Sequence, residues 1–96
     1  MPHPEPHAPE PDAIASEILR QTEACGPAGS ISPNDVARSL AGGEETAWRP
    51  LLGPVRRSAM ALAEAGRLEI LRKGKPVPIA EARGVIRLRQ PGGAAA

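Results

Sequence analysis

The sequence predicts an α+β fold, mainly helical: a winged helix-turn-helix with three helices and a two- to three-stranded antiparallel ribbon. Three observations carry that expectation. Apolar residues recur at helical spacing up to about residue 65. After Gly66 the period changes, and 68–72 and 85–89 read as strands. Between the first two helical stretches stands a helix start signal, Ser32-Pro33-Asn34-Asp35.

The first helix is expected to begin at Asp12, whose carboxylate can cap the free amides of the first turn. Ile14, Ile18 and Leu19 then mark one stripe, and Gly26-Pro27 ends the helix. The second runs from the Ser32 cap to about Ala41, burying Val36, Ala37 and Leu40, and Gly42-Gly43 stops it. Trp48, Leu51, Leu52 and Val55 follow at spacings of three to four, interrupted by Gly53-Pro54. This reads as a helical turn at 47–52 and a main helix from about Pro54 to Ala65, or as one kinked helix. Val55, Ala59, Leu62 and Ala63 form its buried stripe, and Gly66 caps it.

Leu68–Arg72 is the first expected strand, with imperfect alternation because Ile70 and Leu71 are adjacent. Lys73-Gly74-Lys75-Pro76 is a turn signal, and 77–84 a loop. In Val85–Arg89, Ile86 and Leu88 share one face. The connection exceeds a tight hairpin, so an open, extended wing is expected, with Ile31 as a very short third strand.

The domain occupies residues 12–89. Residues 1–11 hold five prolines and no aliphatic side chain larger than alanine, and 90–96 are equally poor in apolar bulk. Such stretches cannot bury enough surface to offset their ordering entropy, so both are expected to be disordered tails. With no Phe or Tyr, the core must come from aliphatic residues and Trp48. No apolar run is long enough to span a membrane, and the start lacks the features of a signal peptide. The single cysteine, Cys25, cannot form an internal disulfide, which suits a cytoplasmic setting.

The segments ISPNDVARSL, WRPLLGPVRRSAMALAEAGRLEIL and KGKPV with ARGVIRLR resemble the small bacterial domain-of-unknown-function family 3253. The likeness covers about residues 12–89. It implies a compact, winged-helix-like domain and no reaction, cofactor or ligand.

Catalytic candidates are few. His3 and His7 lie in the proline-rich tail, where their spacing cannot be held on a helix. Cys25 has no histidine within 12–89 to serve as its base, and a buried or inert thiol is expected. One cysteine cannot supply a zinc site, and Gly42-Gly43 does not match a phosphate loop. No catalytic residue, metal, cofactor or small-molecule substrate is therefore expected. Trp48, beside Leu51 and Leu52, reads as a core anchor rather than a stacking platform.

Charge is the informative feature. Residues 1–48 carry two arginines against eight carboxylates; residues 49–96 carry ten cations against three carboxylates. Either the halves pair internally or the second half meets a polyanion. In a helix-turn-helix the second helix of the motif enters the major groove. Here it bears Arg56, Arg57 and Ser58, and the wing adds Arg72, Lys73 and Lys75, with Arg83, Arg87 and Arg89 nearby. The expected partner is duplex DNA, read weakly, because the helix offers no Asn or Gln for adenine. The alternatives are an acidic protein partner or self-association. The bland reading of these cations is a solvated surface and a guarded strand edge.

Overall fold

A computed structural model describes residues 10–26 and 28–91. The expected tail residues 1–9 and 92–96, with His3 and His7, lie outside the described residues, as does Pro27. The order is α1 (Pro11–Cys25), α2 (Pro33–Ala41), α3 (Glu45–Trp48), α4 (Leu52–Glu64), β1 (Glu69–Arg72), β2 (Lys75–Pro76) and β3 (Arg87–Arg89). This is an α+β fold, mainly helical, consistent with the winged helix-turn-helix arrangement.

α1 begins one residue earlier than expected. Glu10 is its N-cap, Pro11 opens it and Asp12 sits in the first turn. Proline at this position has its φ preset and forfeits no amide that the helix needs. Asp12 thus faces the positive end of the helix dipole rather than capping it. At α2 the expected start signal forms in full. Ser32 Oγ accepts from the Asp35 amide at 3.2 Å, and Asp35 Oδ2 accepts from the Ser32 amide at 3.0 Å. The shorter aspartate arm closes the reciprocal bond.

From Glu45 to Glu64 the backbone is one bent helical run. A 3₁₀ turn, Arg49–Leu51, joins α3 directly to α4. The kinked-helix alternative therefore describes this region better than two separated pieces. Pro50 and Pro54 each remove a donor from the ladder, which localises the bend here.

α1, α2 and α4 pack around one core that includes Ile14, Ile18, Val36, Val55, Leu62 and, from the sheet, Ile70, Ile86 and Leu88. Trp48 is buried, as expected of an anchor, while Leu40 and Ala63 are only half-buried against the cluster. Thr22 also lies inside α1; its hydroxyl donates to the carbonyls of Ile18 and Leu19, so no polar group is stranded there.

The sheet has the order β2-β1-β3, both pairings antiparallel. Ile31 adds a bridge on the far side of β3, exchanging hydrogen bonds with Leu88 at 2.9 and 2.7 Å. The expected short third strand is thus an isolated bridge. The expected open wing is also different: the chain reverses immediately at Lys73-Gly74, so β2 pairs with β1 at Leu71–Pro76 and Arg72–Lys75. A second 3₁₀ turn, Ile79–Glu81, then helps carry the chain round to β3 on the opposite edge. β1 is consequently the central strand. Ile70 and Leu71, on opposite faces, are both buried, but only Ile70 belongs to the core shared with the helices.

Candidate nucleic-acid interface

The β1–β2 hairpin is built by a two-residue turn. Lys73 has φ 54° and Gly74 φ 81°, and Arg72 and Lys75 are paired across the strands that flank it. Two consecutive positive φ values in a two-residue hairpin loop define the type I′ turn, whose twist matches that of the strands. Glycine takes this conformation freely. Lys73 is the one non-glycine residue with positive φ among the described residues.

Register fixes where the cations point. Paired residues in an antiparallel ribbon share a face, and residues two apart along a strand do too. Arg72 therefore lies on the face of Ile70, and Lys75 on the face of Val77. Ile70 is in the core, and Val77 packs against it. Arg72 and Lys75 thus leave the ribbon on its helix-packed side, just beyond the edge of the core. They line a shallow, open depression with Lys73, Pro76 and Val77. All three cations are exposed.

On α4 the outward face consists of Gly53, Arg57, Ala61 and Glu64. Arg57 is exposed, and its guanidinium lies along the first turn: a Cβ built on Gly53 would stand 3.5 Å from Arg57 Nη1. Arg56 and Ser58 are half-buried. The Arg56 Nη2 donates to the Gly84 carbonyl at 3.1 Å.

The remaining arginines divide. Arg89 pairs with Glu69 across the strands, with Nε–Oε1 at 2.9 Å. Arg87 donates to Ser30 Oγ at 2.7 Å and to the Ser30 carbonyl at 3.0 Å. Arg49 pairs with Glu45 and Arg20 with Glu17. Carboxylates thus pair with Arg49 and Arg89 of the basic half, but among the described residues only the local Arg49–Glu45 pair joins the basic half to the acidic one. Arg56, Arg57, Arg72, Lys73 and Lys75 are absent from the ion pairs among the described residues.

A family model described as a protein of unknown function, DUF3253, matches residues 11–91. The chain belongs to this family. Among the curated proteins, none matches it. In this DUF3253 chain, the described residues include no group of three or more His, Cys, Asp or Glu side chains that could hold a metal. No described helix is long and apolar enough to cross a membrane. Cys25, expected to be buried or inert, is exposed at the end of α1 with its Sγ 4.0 Å from the Ser30 carbonyl.

Sequence reasoning missed the immediate reversal that brings Lys75 opposite Arg72. The available signal was Lys73-Gly74, a glycine in the second position of a two-residue loop. It is weaker than Asn-Gly because lysine disfavours the left-handed conformation.

Proposed function

We propose that this DUF3253 chain is a small intracellular module that binds duplex DNA with weak sequence specificity and performs no catalysis. The β1–β2 hairpin is its main contact, and Arg57 of α4 is the second. The observation that supports this most is the hairpin itself. It gathers Arg72, Lys73 and Lys75 within four residues, exposed and outside the described ion pairs. One of the three occupies a left-handed conformation.

Cations of this kind neutralise phosphates and release counterions, giving affinity without reading bases. The outward face of α4 supports the same view. Gly53, Arg57, Ala61 and Glu64 offer one bidentate donor and no amide side chain, too little for a base code.

The test is a titration of labelled random-sequence duplex with the protein at about 50 mM salt, repeated as salt rises. Four cations on phosphates give a log–log slope of up to about −3.6. Flat titrations at the lowest salt would reject the proposal. The competing reading is self-association, in which the acidic first half of one copy meets the basic hairpin of another. It predicts a salt- and concentration-dependent mass in light scattering without DNA.

A further inference from the structure

Arg56 and Arg57 are adjacent in sequence, yet their guanidinium groups go to different places. That of Arg57 stays over the first turn of α4 in solvent. That of Arg56 is spent on the domain itself, where Nη2 donates to the Gly84 carbonyl, 28 residues further along the chain. We infer that Arg56 is a positioning residue that braces the 82–86 segment against α4, so that the helix and the basic sheet present one rigid surface. The inference rests on the duplex-DNA reading for its consequence, though the brace itself can be tested in the free protein.

The segment is shaped for such a brace. Ala82 and Ile86 are both buried in the core, and Val85 between them is 88% exposed. To reach from one buried anchor to the other while turning Val85 outward, the backbone passes through Gly84 at φ 72°. Left-handed backbone there is accessible to glycine at little cost. The turn leaves the Gly84 carbonyl available to a side chain, and Arg56 supplies the donor. A charged donor makes a stronger bond than a neutral one.

Directly after Ile86 the chain enters β3, which pairs along β1, and β1 runs into the Lys73-Gly74 turn. Fixing Gly84 to α4 therefore fixes the start of β3 and, through the pairing, the orientation of the hairpin. Half-burial and an occupied Nη2 also make Arg56 a poor phosphate ligand beside the open Arg57.

The experiment compares wild type, Arg56→Ala, Arg56→Lys and Arg57→Ala in two measurements. The first is amide hydrogen exchange of the free protein over peptides covering 79–89. Losing one such hydrogen bond should speed exchange there by about threefold to tenfold in both Arg56 variants. Lysine keeps the charge but is a shorter single-headed donor, so it should not restore the brace. Arg57→Ala should leave exchange unchanged. Equal exchange in all four proteins would overturn the inference.

The second measurement is the salt dependence of duplex binding. Arg57→Ala should reduce the slope by about 0.9, the loss of one phosphate contact. Arg56→Ala should weaken binding with an unchanged slope. An equal slope loss in Arg56→Ala would make Arg56 a phosphate ligand and overturn the inference. Wild type that ignores duplex at low salt would instead refute the DNA reading, leaving hydrogen exchange to decide the brace alone.

Discussion

The Ser39 hydroxyl on α2 donates a 2.6 Å hydrogen bond to Glu17 Oε2 on α1, tying the two helices together at their surface. The same carboxylate accepts two bonds from Arg20, at 2.9 and 2.5 Å, and one from Gln21 at 2.7 Å. With its side chain only 14% exposed, Glu17 is the anionic hub of this junction. The Arg20 hydrogen bonds are the main reason its pKa falls from the ordinary 4.5 to about 2; burial opposes the shift, and Ser39 and Gln21 add to it.

That shift sets a pH dependence. The folded carboxyl titrates below the unfolded one, so unfolding at low pH takes up a proton. The stabilisation is fully present above about pH 4.5 and is lost as pH falls toward 2. After allowance for solvent screening it is worth about 2 kcal/mol. Urea unfolding followed by Trp48 emission should show this fall. Glu17→Gln should cost about 1–2 kcal/mol at pH 7 and flatten the curve below pH 5. An unchanged acid limb in that variant would mean other carboxylates dominate.

Leu62 lies on α4 one turn beyond Ala59 and is 6% exposed in the shared core. Truncation there leaves a cavity that neighbouring aliphatic side chains cannot fully close. Leu62→Ala should cost about 2–5 kcal/mol, a large part of the 5–15 kcal/mol typical of a folded domain. A melting temperature within a degree or two of wild type would contradict the assignment of this face.

Trp48 closes the end of the core beneath the Arg38 guanidinium, whose carbon lies 4.9 Å from a ring centroid. Arg38→Ala should lose about 0.5–1 kcal/mol, since the pair is partly solvated. Trp48→Ala should lose about 3–5 kcal/mol, because no second aromatic ring exists in the chain to replace it. Both are read by chemical denaturation monitored by circular dichroism.

Most of the fold was legible because its signals were local. The Ser32–Asp35 capping box, the Val55–Ala59–Leu62 stripe and the Ile86/Leu88 alternation each arise from a few neighbouring residues, and each forms as read. What escaped was set by pairing at longer range. Leu71 breaks the alternation of β1 because it is buried on the face opposite Ile70, and β2 is too short to announce itself. The site was legible as a set of cations but not as an arrangement. Nothing local marks Arg56 as bound to Gly84, or Arg87 to Ser30, because both bonds span distant parts of the chain. Arg72 and Lys75 became one cationic pair only once the register was known.

The Lys73-Gly74 turn separates stability from binding more cleanly than any core position. A lysine at φ 54° carries a steric cost that asparagine, which tolerates the left-handed region, largely avoids. Lys73→Asn should therefore raise stability by about 0.5–1 kcal/mol, improving the type I′ turn. The same change removes one of the three hairpin cations. Duplex affinity should fall and the salt slope should shrink by about 0.9. A protein that becomes more stable while binding less tightly would mean that the strained lysine is kept for its charge. If Lys73→Asn gains stability and binds duplex with unaltered affinity and slope, Lys73 does not touch phosphate, and Arg72, Lys75 and Arg57 must carry the binding.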